Sequence, residues 1–306
     1  MLKGVIYRLG QAQQRTGHAL SGLGNLARLS ARRKGERPAI AAVMVGRNDD
    51  YMSDFRERLY ATIEWNIRYL VSEVVFVEWN PLPDRELLAY GLAERFDCLR
   101  AYVVTPEIHA RICQNVHVAV LEYHAKNVGI RRASSPWIMA TNADAALSFD
   151  TINMILDTPL APDVAWTAER VDIPWREAEQ KRIGLLDSLR FGRFIPYQQL
   201  GTGEFVLASK EMWERTRGYD ETMVKHRIGC DTRGTAQMLA HGATIRRAGH
   251  VLHLTHPTSC TEKLQPHHGE WASLDNLPYH NADNWGLADR REVQLAERVW
   301  RIEEQG

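Results

Sequence analysis

Residues 39–46, "AIAAVMVG", are apolar without a break, the pattern of a strand buried on both faces. Asn48, Asp49 and Asp50 follow, residue types that cap helices. Met52, Phe55, Leu59, Ile63, Ile67 and Leu70 then recur at spacings of three and four, which predicts an amphipathic helix. "EVVFVEWN" predicts a second strand, Asp84 is placed to cap a helix with Leu87, Leu88 and Leu92 inward, and "LRAYVV" predicts a third strand. This βαβαβ order implies a parallel sheet with right-handed crossovers, so the first two strands end at one edge. Residues 121–134 predict another helix, and "WIMAT" a strand that delivers the polar triplet Asn142, Ala143, Asp144 to that edge. The carboxyl ends of such strands line the ligand crevice of an open α/β sheet, which makes an acid there a candidate for metal or substrate contact. Asn and Asp also suit a plain turn.

Beyond the triplet, "DVAWTAERVDI" has strand character, and 172–200 is a polar insertion dotted with Trp175, Phe191, Phe194 and Tyr197, of the kind that forms substrate loops. "GEFVLAS" predicts a strand, 210–216 a short helix, "GYDETM" a loop, "TRGTAQMLAHG" a helix ended by Gly242, and "ATIRRAGHVLHLTHP" one or two strands ended by Pro257. No repeat or low-complexity linker divides the chain, which reads as one domain with appendages.

Charge changes this picture at one end only. Lys plus Arg and Asp plus Glu both total 38, so no global imbalance points to nucleic acid. Residues 1–36, however, hold seven basic side chains and one acid, with Leu2, Val5, Ile6, Leu9, Leu20, Leu23, Leu26 and Leu29 near helical spacing. The leader has no long apolar block, which argues against a signal peptide or a spanning helix; a basic amphipathic helix on an anionic membrane surface and a packed N-terminal helix both fit it. The four cysteines, Cys98, Cys113, Cys230 and Cys260, lack CxxC spacing and suggest reduced cytosolic thiols rather than a zinc ribbon or disulfide scaffold.

Five pieces recur in one order: Asn48 after the first strand, Glu78 at the end of the second, "KNVGIRRA" before the triplet, "GEFVLASKEMWERTRGYDE", and Asp231 heading a helix before "HLTHP". On these the chain resembles, over residues 39–256, the family-2-like nucleotide-sugar glycosyltransferases of the type A fold. The resemblance implies an α/β fold: a single glycosyltransferase type A (Rossmann-like) domain with a mostly parallel central sheet, an N-terminal helical leader and a C-terminal tail. The corresponding division is a basic amphipathic leader at 1–37, a catalytic domain at 38–256 (donor-binding 38–147, acceptor and catalytic 148–256), and a loop and helix at 257–306.

The resemblance also implies roles. Gly46, Asn48, Glu78, Lys126, Asn127, Asn142 and Glu204 would bind the nucleotide and donor, with Arg131 and Arg132 in reach of the diphosphate. Asp144, His253 and His256 would hold a divalent metal, Mn2+ or Mg2+, and Asp231 would be the general base. Glu221 and Trp285 would meet the acceptor, and Trp175 and Tyr279 are further candidates for stacking on sugar rings. Two departures each remove one negative charge: Asn142 stands where the family has the first acid of its D-x-D pair, and Cys230 where it has the acid before the base.

The activity implied is transfer of a sugar from a nucleotide sugar, UDP-sugars favoured, to a glycan or lipid-linked acceptor, with inversion. The expected setting is the cytoplasm, at the inner face of a membrane where the leader binds, with self-association as a further option. A retaining transferase on the same scaffold and a catalytically silent sugar-nucleotide or glycan-binding protein remain alternatives. A nucleotidyltransferase fits less well, because "MVGRNDD" is too acidic to cradle a triphosphate.

Overall fold

The structure, a computed structural model, describes residues 17, 20–31, 37–49, 52–175, 182–183, 193–194, 203–226, 228–256 and 272–304. Expectations for the leader before residue 20, most of the 172–200 insertion, Cys260 and the rest of 257–271 lie outside the described residues.

The first predicted strand is β1, Ile40–Gly46, flanked by β2, Glu73–Trp79, and β4, Trp137–Thr141, both parallel to it. β3, Leu99–Val104, continues the parallel block beyond β2. Side chains along β1 alternate between two cores. Ile40, Ala42 and Met44 face the helices α2, Phe55–Tyr69, α3, Leu88–Arg95, and α6, Phe149–Asp157. Ala41 and Val43 face α4, Pro106–Ile112, α5, Glu122–Arg132, α7, Lys210–Thr216, and α8, Cys230–Ala240. An uninterrupted apolar run follows from this placement, since each residue has a core to fill whichever face it points to.

Past β4 the sheet turns mixed. β8, Phe205–Ser209, is antiparallel to β4, and β6, Val164–Ile173, is antiparallel to β8 and parallel to β9, Thr244–Leu254. The short β5, Ala145–Leu147, runs antiparallel to β9, and β7, Arg193–Phe194, pairs with β6.

Two expectations about elements need correction. The tail at 257–306 contains no α-helix among its described residues. It forms a hairpin, β10, Arg291–Ala296, and β11, Val299–Glu303, and β11 extends the parallel block by pairing with β3. Its charged residues Arg291 and Glu292 are exposed on this edge hairpin, while Val299 and Ile302 are fully buried. Nor does Asp84 cap α3. Leu87 occupies the cap position, and the side chain that meets the helix start is Glu78, whose carboxylate accepts from the Leu88 and Ala89 amides at 3.0 Å each.

The described part of the leader is α1, residues 20–31. Leu26 and Leu29 pack on the core beside α6, Asn153 donates to the Asn25 carbonyl at 2.8 Å, and Arg28 pairs with Asp157 at 2.6 Å.

Candidate functional site

Strand register builds the first half of the site. β4 ends at Thr141, the Asn142–Asp144 turn follows, and β5 then places Ala145 opposite His253 of β9, with the Leu254 amide donating to the Asp144 carbonyl at 3.0 Å. His256 lies just past the end of β9. Asp144 Oδ2 is thereby 3.4 Å from His253 Nε2 and 3.1 Å from His256 Nε2, and the two imidazole nitrogens are 3.2 Å apart. Three ligand-type atoms converge as the sequence predicts, and no other described His, Cys, Asp or Glu cluster does so. Burial opposes ionisation of Asp144, yet the facing His253 and His256 hold its carboxyl far below the usual range. Burial likewise disfavours a charged His253, but Asp144 and then Asp172 outweigh it and lift the ring to about 9.

Asp231 is in the first turn of α8. The cap position belongs to Gly229, two residues earlier, and carries no side-chain cap, so Asp231 is not the N-cap of this helix. Burial raises the Asp231 carboxyl to about 6; the Thr232 amide works against this, Glu204 adds to it, and Lys126 opposes it. A Cβ on Gly203, whose φ is +75°, would lie 3.1 Å from Asp231 Oδ2 and 3.0 Å from the Tyr123 hydroxyl. Any side chain at Gly203 would crowd the carboxylate. Cys230 adds no charge beside it, because burial and the adjacent Asp231 push its thiol far up.

Asp231, Asp144, His253, His256, Asn142, Glu204 and Gly46 all line one cleft of about 530 Å³ at the carboxyl ends of β1 and β4. At Gly46 the close approach of the Phe55 and Phe76 rings, 2.9 Å from where a Cβ would sit, excludes a larger residue.

Lys126 sits behind the cleft, fully buried. Its ammonium donates to Asn142 Oδ1 at 2.9 Å and to the Gly203 carbonyl at 3.1 Å, and it pairs with Glu122 at 2.7 Å. All three N–H groups are thus engaged within the protein, and through them Lys126 braces the cleft wall. The contact with Asn142 engages one lone pair of its carbonyl oxygen.

Other predicted site residues are placed elsewhere. Asn48 is buried and clasps the 82–86 loop, accepting from the Leu82 amide at 2.6 Å and donating to the Leu82 carbonyl at 3.1 Å. Glu78 is fully buried against the start of α3, where desolvation lifts its carboxyl to about 7 in spite of the two amides. Asn127 exchanges hydrogen bonds with the Tyr219 backbone at 2.8 and 2.7 Å and donates to Glu221 at 3.0 Å. Glu221 in turn accepts from the Gly286 amide at 2.8 Å, and Trp285 is buried beneath the Arg131 guanidinium. These residues pin the tail onto α5. Arg132 donates to the Gly286 and Leu287 carbonyls at 2.6 and 3.2 Å, and Trp175 and Tyr279 are buried on Asp54 and the Gly218 carbonyl.

Two residues of the site escape the sequence reading. Arg170 lines the cleft and Asp172 supports it, both on the same face of β6. Arg170 donates to Asp172 at 2.7 Å and to Glu204 at 2.9 Å, and Asp172 lies 3.0 Å from His253 Nδ1. The signal was available: "AERVDI" turns from apolar to charged at period two near the end of a strand.

No protein-family model and no curated protein matches the chain. Among solved structures it is similar to a mannosyltransferase of Pyrobaculum calidifontis in complex with GDP-Man and Mn2+, at 17% identity over 85% of this chain and 70% of that one, with a TM-score of 0.46. It is also similar to GalNAc-T7 with UDP, GalNAc and Mn2+, at 11% identity over 72% of this chain and 43% of that one, with a TM-score of 0.49.

Proposed function

We propose that the chain is a metal-assisted glycosyltransferase that moves a sugar from a nucleotide-sugar donor, a UDP-sugar first among candidates, to a hydroxyl of a glycan or lipid-linked acceptor with inversion. The observation that carries this reading is the meeting of the Asp144, His253 and His256 cluster with the Asp231 carboxylate in one cleft. At about 530 Å³ that cleft is in the usual range for small-molecule sites.

One carboxylate oxygen and two imidazole nitrogens form a donor set suited to a borderline divalent ion such as Mn2+. Their separations of 3.1, 3.2 and 3.4 Å fit it. Neighbouring ligands around an ion with bonds of about 2.1 Å lie roughly 3 Å apart. Asp144, His253 and His256 would hold such an ion, which would offset the negative charge that grows on the departing nucleotide diphosphate.

Asp231 removes the proton of the acceptor hydroxyl as that oxygen bonds to the anomeric carbon, and the electron pair of the breaking bond leaves with the diphosphate. With a pKa of about 6, Asp231 is a stronger base than an ordinary aspartate yet is still ionised at pH 7. Glu204 Oε2 is buried in the cleft wall with no hydrogen-bond partner among the described residues, which makes it an acceptor for a sugar hydroxyl.

The basic leader would hold this site near a membrane-borne acceptor. Leu20 and Leu23 of α1 are 67% and 51% exposed, while Leu26 and Leu29 pack inward. Among the described residues no helix is long and apolar enough to cross a membrane.

A thermal-shift screen of UDP-, GDP-, CMP- and dTDP-sugars, with and without Mn2+, tests the donor reading. One nucleotide class should raise the midpoint, and only with Mn2+ present. No shift with any donor in the presence of Mn2+ would contradict the proposal.

A further inference from the structure

His253 Nδ1, the ring nitrogen turned away from Asp144, has two competing neighbours. Asp172 Oδ1 lies 3.0 Å from it and can only accept a hydrogen bond. Arg170 Nη2 lies 2.9 Å from it and can only donate one. The two contacts demand opposite states of one atom. In the neutral ring that metal binding requires, a hydrogen on Nδ1 bonds Asp172 and leaves Nε2 with a lone pair aimed at Asp144 and His256. If Nδ1 carries the lone pair, it accepts from Arg170, and in a neutral ring the hydrogen then sits on Nε2, where it blocks a metal ion.

We infer that Asp172 is the positioning residue that decides this competition, holding His253 in the orientation and tautomer that present Nε2 to the metal. The inference rests on the metal reading of the cluster proposed above. Cross-strand register supports it: Asp172 and His253 are direct partners in the parallel β6 and β9 pair, so both side chains stand on one face of the sheet. The guanidinium of Arg170 is itself held by Asp172 through Nε at 2.7 Å and by Glu204 through Nη1 at 2.9 Å, which fixes Nη2 beside the ring. Both bonds are charge-assisted, but Arg170 already donates to Asp172 and Glu204, so Asp172 can take the Nδ1 hydrogen without leaving the guanidinium unpaired, and the carboxylate prevails while it is present. Removing it leaves Arg170 as the sole polar partner of Nδ1 that these contacts provide.

The test is the Mn2+ dissociation constant of the full chain without donor, read from the electron paramagnetic resonance signal of the free ion. Asp172→Ala should weaken Mn2+ binding by about 10–100-fold, the usual effect of losing the hydrogen-bond partner of a ligating histidine. Asp172→Asn retains an acceptor oxygen and should recover a clear part of that loss. Glu169→Gln removes the same charge from β6 at a carboxylate that pairs with Arg247 and His250 instead, and should leave the constant unchanged. Each variant is paired with its thermal midpoint, so that misfolding is recognised. Unchanged binding in a folded Asp172→Ala protein, or equal losses for the Ala and Asn variants, would overturn the positioning role while leaving the metal site standing. No Mn2+ binding by the wild-type chain would overturn both.

Discussion

Asp231 illustrates how a functional carboxylate trades stability for chemistry. Burial raises its pKa to about 6, so the protonated form is favoured in the folded state relative to an unfolded chain, where an aspartic acid titrates near 4. The stability it contributes is therefore complete below the unfolded pKa and lost as the pH rises through about 6. At pH 7 the ionised carboxylate costs the fold ~2–3 kcal/mol, because a tenfold change in proton affinity between the two states is worth about 1.4 kcal/mol. Asp231→Asn should melt higher than wild type at pH 7, with the difference shrinking toward pH 4, and should turn over at least about 10²-fold more slowly with donor affinity retained. Wild-type kcat should rise with pH through a midpoint near 6. Near-normal turnover of the Asn variant would assign the residue to the helix terminus alone.

The other residue-scale assignments divide by a physical rule. Asp144 was legible because it stands where a strand stops, and strand ends are where side chains reach the cleft; His253 and His256 were legible only through the family resemblance. Asn48, Glu78, Asn127, Glu221 and Trp285 share the polarity or position of ligand contacts but are taken up by backbone groups and by packing. A sequence records which atoms can hydrogen-bond; it does not record that the Leu82 amide or the start of α3 will reach them first.

At the scale of elements, α5 shows what the "KNVGIRRA" stretch does. A Cβ on Gly129 would lie 2.5 Å from Val43 Cγ1 and 3.3 Å from Val77 Cγ2, so this helix rests directly on β1 and β2. Asn127, two residues before it, fastens the Tyr219 backbone, and Lys126 backs Asn142. The stretch is a packing and bracing motif through which one helix sets the cleft wall. Gly129→Ala should lower stability by about 1–3 kcal/mol, as overpacking in a dense core does, and denaturant unfolding would measure it. A loss below ~0.5 kcal/mol would mean that the helix can lift off the sheet without penalty.

The predicted alternation of strands and helices up to β4 was legible because each element repeats one hydrophobic period for its whole length. β10 and β11 were not, because their buried side chains are few and are separated by Arg and Glu.

At the scale of the whole molecule, the sheet separates two tasks. Its parallel block carries the Gly46 end of the cleft, and its mixed half carries the metal cluster and Glu204, with the cleft along the line where they meet. The leader adds a third element outside that plan. If it binds anionic lipid, the full chain should co-sediment with phosphatidylserine vesicles at low salt and less at high salt, since screening weakens the attraction between basic side chains and anionic lipid. A chain lacking residues 1–36 should not co-sediment, yet should retain activity on a soluble acceptor. Equal sedimentation of the two chains would assign the leader to packing or subunit contact.

The most direct measurement of the proposed activity is release of nucleoside diphosphate from a panel of nucleotide sugars, supplied with Mn2+ and a mixture of simple glycoside acceptors. At least one donor should be cleaved by the wild-type chain. Cleavage should stop with EDTA and should be lost in Asp144→Ala, which removes a cleft carboxylate and leaves the apolar cores intact. No cleavage of any donor by a folded wild-type chain, or cleavage that persists both in EDTA and in Asp144→Ala, would contradict a metal-assisted glycosyltransferase built on this cleft.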